Sequence, residues 1–295
     1  MSKNGALYKN FKKAVIENDF LNAKLFWNKF VESVSNEHSI PVELKLTVKD
    51  LVLIKTEKEN AREPRILDHG CGGAYSVCYL LAIGFSKVQG FDVNPSNSAF
   101  YQNANKFFKE ELLISNETLL QATTDILPYN DNAFDYIFSN QVLEHVPDGL
   151  IDRFFAEESR ILHPLGRVRH SFPHRNCLFD THTRTWLLSS ILPRSVFNKL
   201  VTLIHPHLRE IVENGLFLRS PFFYKALALK YFADCIDETG KRLKLAPNLN
   251  VYEGNSYLRG LSHIVFRLPI IGPLALSLVA IVAIKDLVFQ PVKPL

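Results

Sequence analysis

Residues 65 to 75, Arg65-Ile66-Leu67-Asp68-His69-Gly70-Cys71-Gly72-Gly73-Ala74-Tyr75, run an apolar strand into an acid and then into a glycine-rich turn. That combination builds a nucleotide-cofactor pocket. In a parallel α/β sheet the ligand settles at the carboxyl ends of the strands, where glycines let the backbone approach it and the next helix offers unpaired N–H groups. A dinucleotide frame, G-x-G-x-x-G, needs a third small residue where this chain has Tyr75, which weakens that reading. Lys87 to Val93 reads as a second strand that reaches an acid, Asp92, about 20 residues past the turn; a carboxylate there accepts from both hydroxyls of an unphosphorylated ribose. Further on, His145, His174 and His182 are candidates for a general base, because histidine is tuned to take a hydroxyl proton near neutral pH. A structural role stays open for each.

The elements that must position these groups alternate. From Arg65 to Val168 the pattern gives strand, glycine turn, helix, strand, helix, a short third strand near Leu119 to Ala122, a fourth strand from Ala133 to Asn140 and a helix over 148 to 162. Strands alternating with helices mean an α/β fold, a parallel sheet with helices on both faces. Ahead of it, Phe11, Val15, Phe20, Leu21, Leu25, Phe26 and Phe30 recur at near-helical spacing, which predicts one or two amphipathic helices; residues 41 to 57 predict another. Residues 1–60 are therefore read as an N-terminal helical cap and 61–176 as the cofactor-binding core. Residues 177–267 lose the alternation and are rich in aromatics, which predicts a mostly helical insertion. It either walls the substrate pocket or fills a subdomain core. In residues 268–295, Leu268 to Ile284 is uncharged, too interrupted by Pro269, Gly272 and Pro273 to read plainly as a span; Leu278 to Ile284 reads as a buried final strand, with peripheral membrane contact as the alternative.

The ordered motifs carry a family resemblance. Asp68-x-Gly70-x-Gly72-x-Ala74 resembles the first motif of class I S-adenosylmethionine-dependent methyltransferases, with Ala74 in place of the usual last glycine. Thr124-Asp125-Ile126-Leu127-Pro128 resembles the family's D-x-L-P adenine loop. Val142 to Asp148 resembles the segment after the fourth strand, and Arg160 to Gly166 the turn before the fifth. The resemblance covers roughly residues 60 to 176. It implies a Rossmann-like seven-stranded methyltransferase sheet and S-adenosyl-L-methionine as cofactor, with Asp68 fixing the amino-acid end, Asp92 the ribose and Asp125 the adenine amino group. Gly70, Cys71, Gly72, Val93, Ile126 and Asn140 complete the implied cofactor set. The Cys71 side chain is expected to point away from the ligand. Ser171 to Pro193 resembles a run of methyltransferases associated with surface-glycan synthesis, although His174 stands where that pattern often has asparagine. Some relatives hold a divalent cation on an E-x-x-E-H run. Here the run begins at the neutral Gln141, a poorer ligand for a hard cation, and no metal is assigned. Asp148 and Asp152 are read as caps of the following helix.

Composition narrows the partners. At 295 residues and 47% hydrophobic the chain can bury a full core, and a net charge of +4 is too small for the basic stripe of a nucleic-acid binder. The four cysteines have no C-x-x-C or metal-ligand spacing, and no apolar signal segment leads the chain, so a cytoplasmic enzyme, membrane-associated at most through its tail, is expected. The predicted activity is methyl transfer, to an oxygen of a small or carrier-linked acceptor such as a surface-glycan sugar. The alternatives are a quinone or other lipid-ring acceptor at the membrane, and a non-catalytic scaffold that keeps the cofactor fold.

Overall fold

The computed structural model describes residues 3–35, 40–57, 63–114, 117–124, 126–177, 179–180, 182–183, 185–186, 188–245, 280–281 and 283–291. Seven strands form one mixed sheet: β1 (Ile66–His69), β2 (Val88–Asp92), β3 (Leu119–Gln121), β4 (Phe134–Asn140), β5 (Leu162–Phe172), β8 (Phe232–Asp237) and β9 (Lys285–Pro291), in the order β3-β2-β1-β4-β5-β9-β8. A separate hairpin pairs β6 (Phe179–Asp180) with β7 (Thr185–Trp186). The pairs β1–β2, β1–β4 and β2–β3 are parallel, whereas β9 runs antiparallel to both β5 and β8. This is the Rossmann-like methyltransferase sheet that the motifs imply.

The chain divides into two units, the first made of residues 1–139 and 161–166, the second of 140–160 and 167–295. In the first, the predicted leading segment forms two helices, α1 (Lys3–Ile16) and α2 (Phe20–Val34). The buried residues of α2, Ala23, Trp27, Phe30 and Val34, recur at helical spacing and put one apolar stripe on one face. Asp19 caps α2, its carboxylate accepting from the Asn22 amide at 3.1 Å. Helix α3 (Lys45–Glu57) precedes β1, α4 (Tyr75–Ala82) follows the glycine turn, and α5 (Ser98–Glu111) follows β2. Phe11 of α1 lies 5.2 Å from Trp27 and 5.3 Å from Phe107 of α5, ring centre to ring centre, so the leading helices are part of the same core as the sheet's helices. Each such fully buried side chain stabilises by about 1.5–3 kcal/mol. At the entry to β1 and β4, the Arg65 amide and Nε donate to Asp135 Oδ2 at 3.0 and 3.1 Å, which sets the start of both strands.

The second unit holds α6 (Ile151–Ile161, except its last residue), most of β5, and α7 (Leu188–Ile191), α8 (Arg194–Ile204), α9 (Arg209–Asn214), α10 (Pro221–Ala228) and α11 (Thr239–Leu245). The stretch expected to be mostly helical therefore also supplies β8, a strand of the sheet. The final strand differs from expectation too. It is Lys285–Pro291, seven residues later than Leu278–Ile284, while Ala280 and Ile281 are helical and residues 268–279 and 282 lie outside the described residues. Hydrophobicity misplaces it because the strand opens with two charges, and the fold neutralises both. Asp286 pairs with buried Arg169 of β5, which also meets Glu238 at 2.7 Å, and Lys285 meets Asp237 at 2.8 Å. Among the described residues, no helix is long and apolar enough to cross a membrane.

Candidate active site

The glycine turn is held from behind by its own strand pair. The amides of Gly70 and Cys71 both donate to the Phe91 carbonyl, at 2.8 and 3.1 Å, which folds the chain sharply after β1. Gly70 and Gly72 take φ of +89° and +50°, a left-handed conformation that glycine adopts without strain. Ala74 is also left-handed at φ +59°, so the replacement of the family's last glycine costs about 1–2 kcal/mol. Asp92 closes the turn. One carboxylate oxygen accepts from the Gly72 amide and the other from the Asn94 amide, both at 2.7 Å. Two tyrosines grip the carbonyls of the same loop: Tyr101 of α5 donates to Gly72 O at 2.5 Å and Tyr8 of α1 donates to Gly73 O. Cys71 packs away into the core, since a Cβ added at Gly90 would lie 2.7 Å from its sulfur. Burial, and after it the charge of Asp68, pushes this thiol well up, which leaves it without nucleophilic thiolate. Val93 and Ile126 are both more than half exposed, apolar surface that a flat heterocycle can cover. Asp125 lies outside the described residues.

In the second unit, Asn140 ends β4 and is followed by Gln141 at φ +56° and a single 3-10 turn, Leu143–His145. The Gln141 amide donates to Ser171 O of β5 at 2.7 Å. His145 Nδ1 lies 2.5 Å from the Gly215 carbonyl. A carbonyl only accepts, so Nδ1 carries a proton. The His182 ring stands edge-on to His145, with centroids 5.0 Å apart, and its Nε2 is 3.8 Å from the buried Glu144 carboxylate. His174 is not part of this group. It is fully buried, its Nδ1 accepts from the Asn176 amide at 3.1 Å and its Nε2 donates to Ala283 O at 2.8 Å. Burial drives its pKa down to about 4. Both ring nitrogens thus serve the backbone. Of the three histidines, the structure brings His145 and His182 together. Asp148 does not cap α6 in the way expected of it: it accepts from Arg219 Nε at 2.8 Å, and Asp152 accepts from Tyr231 and Lys230.

Residues 67–169 match the family model of a methyltransferase domain. The matched segment runs from β1 into β5, the stretch that holds the glycine turn and Asp92. The chain also resembles solved structures in fold. One is the PH0226 protein of Pyrococcus horikoshii OT3, at 16% identity over 84% of this chain and 89% of that one, with a TM-score of 0.42. Another is geranyl diphosphate C-methyltransferase of Streptomyces coelicolor A3(2), at 16% identity over 84% and 77%, with a TM-score of 0.45. A third is phosphoethanolamine N-methyltransferase 2 of Haemonchus contortus, at 16% over 94% and 60%, with a TM-score of 0.44. No curated protein matches the sequence.

The matched segment fits S-adenosylmethionine by the chemistry of its donors. Asp68 is buried, and its carboxyl is pushed well above the carboxylate range by that burial and then by the charge of Asp92. A cationic sulfonium relieves such a pair, whereas the diphosphate of a dinucleotide would add to the repulsion. A Cβ added at Gly72 meets nothing within 4 Å, so the turn opens on free space at the residue that Asp92 holds. Sequence reasoning missed Tyr8, Tyr101 and Lys12, whose Nζ would lie 3.4 Å from a Cβ on Gly73. Their only signal was membership of amphipathic helices. It also missed Gly215, since nothing local marks the carbonyl 70 residues away that fixes the His145 tautomer.

Proposed function

We propose that this chain transfers the methyl group of S-adenosylmethionine to a hydroxyl of a small or carrier-linked acceptor such as a surface-glycan sugar, with His145 as the general base. The observation that carries the reading is the Gly215 carbonyl on His145 Nδ1, which in the neutral ring makes Nε2 the acceptor atom. When bound, the cofactor supplies an electrophilic methyl on a good leaving group, so the protein's own work is to align the hydroxyl and take its proton. Asp92 and the Gly70–Gly72 turn hold the nucleoside end, and Asp68 holds the cationic amino-acid end. His145 Nε2 receives the proton as the oxygen attacks. His182, steadied by Glu144, orients the same hydroxyl. All four cysteines are buried thiols, which supports a reducing, cytoplasmic setting.

Incubation with methyl-labelled S-adenosylmethionine and separated glycan, membrane and soluble extracts tests this. Label is expected in a base-stable ether of the glycan fraction. Cofactor binding without any label transfer would favour a scaffold instead. A second reading has its own support: Glu144, His145 and His182 place ligand atoms within 4.8 Å of one another. One carboxylate with two imidazoles suits a borderline cation such as zinc or manganese better than magnesium. A chelator that abolishes transfer, with label going to the membrane fraction, would favour a metal-assisted enzyme acting on a quinone or other lipid ring.

A further inference from the structure

The segment that carries His145 is held from outside by one short stretch of chain, residues 215–224. Gly215 O receives the His145 Nδ1 proton at 2.5 Å, and the Phe217 amide donates to Glu144 O at 2.6 Å. Arg219 supplies the rest. Its three nitrogens reach three acceptors on either side of the Glu144-His145 pair: Nη1 to Leu143 O at 3.3 Å, Nη2 to Val146 O at 2.7 Å and Nε to Asp148 Oδ1 at 2.8 Å, with Nη2 also 2.6 Å from that Oδ1. Tyr224 OH adds a second donor to Leu143 O at 3.2 Å. Arg219 is 9% exposed, and its guanidinium lies 5.5, 5.6 and 5.7 Å from the ring centres of Phe217, Phe223 and Tyr224, which fixes its plane. The Arg219 carbonyl in turn accepts from the Arg175 amide at 3.0 Å, so the clamp is anchored behind β5.

We infer that Arg219 is a positioning residue: by pinning Leu143, Val146 and Asp148 it delivers the His145 ring to the Gly215 carbonyl and so sets which nitrogen of the base carries the proton. The inference rests on the reading of His145 as the base. A purely stabilising arginine would need only its ion pair. Asp148 is 65% exposed in its side chain, where an ion pair contributes about 0–1 kcal/mol, so the two carbonyl contacts are what a stability role leaves unexplained. Lysine cannot reproduce them, because a single ammonium has no fork with which to reach both carbonyls.

The test uses the full chain with ¹⁵N-labelled histidine, the His145 ring being assigned by its disappearance in His145→Gln. In the parent protein His145 is expected as a single Nδ1-protonated tautomer. In Arg219→Gln and Arg219→Lys it should become a mixture, while calorimetry keeps the affinity for S-adenosylhomocysteine within about threefold. Asp148→Asn, which keeps both carbonyl contacts, should retain the parent tautomer. An unchanged tautomer in a folded Arg219→Gln or Arg219→Lys protein overturns the inference. So does an Asp148→Asn protein that behaves like Arg219→Gln, and so does failure of both arginine variants to fold, which would make the residue structural. Full methyl transfer by His145→Gln would dismiss the base while leaving the tautomer result standing, so the two failures are distinct.

Discussion

The glycine turn and the histidine pair are built in opposite ways. The turn is made mostly by contacts between neighbours in one βαβ unit, Phe91 O receiving Gly70 and Cys71 and Asp92 receiving Gly72 twenty positions earlier, with Tyr8 of α1 as a remote addition. The histidine pair depends on distant chain, with His145 fixed by Gly215 and Glu144 set beside His182. Local hydrogen bonding makes the proposed cofactor site a property of the fold, whereas the proposed catalytic end can be re-aimed by changing a loop far away in sequence. If this contrast holds, the two ends fail independently.

The largest separation is expected from His145→Gln. Losing a positioned base costs about 10²–10⁴ in rate, so methyl transfer should fall by that factor, while calorimetric affinity for S-adenosylhomocysteine stays that of the parent. A comparable loss of cofactor affinity would break the contrast.

His174 sharpens it from the other side, as the histidine that serves the fold. Its pKa falls from 6.5 to about 4 on folding because burial disfavours the charged ring. Below pH 6.5 the unfolded chain takes a proton that the folded ring refuses. The stability it contributes is therefore whole above that pH and is lost as pH falls toward about 4. Over that window the loss amounts to at most about 3 kcal/mol. His174→Asn should flatten this limb in denaturant titrations at pH 4.5 and 7, and leave transfer at neutral pH largely intact. An unchanged acid limb would show that the buried ring is not what acid attacks.

Much of the first unit was legible in the sequence because the signals are local. The strand at Ile66, the turn at Gly70 and Gly72, the acid at Asp92 and the short strand at Leu119 all lie where apolar runs and glycines put them. Of the second unit, the helix expected over 148 to 162 is there as α6, but the rest was less legible. Strand β9 opens with Lys285 and Asp286, and only Arg169, Asp237 and Glu238, far off in sequence, make those charges tolerable in a sheet. His174 and His145 look alike as residues in a polar run. Their partners, Ala283 and Gly215, are backbone carbonyls that no side-chain pattern announces.

Asp92→Ala attacks the local end alone. It removes the acceptor of both the Gly72 and Asn94 amides together with the proposed ribose contact, and cofactor affinity should weaken at least about tenfold, or 1.4 kcal/mol. The His145 tautomer, read by ¹⁵N resonance, should stay as it is. Unchanged affinity would refute the ribose assignment.

The smallest effect is expected where the N-terminal helix touches the loop. Tyr8→Phe deletes the hydroxyl that donates to Gly73 O but keeps the ring, which stands edge-on to Tyr75 at 5.0 Å. A neutral hydrogen bond contributes about 0.5–1.5 kcal/mol net, and the carbonyl left behind can turn to a bound ligand or water, so the lower end applies. Cofactor affinity should fall about twofold to threefold, with no change in transfer at saturating cofactor. A drop in the saturated rate instead would mean that the leading helix acts on the acceptor, and the division between a locally built cofactor end and a remotely built catalytic end would then have to be redrawn to include α1.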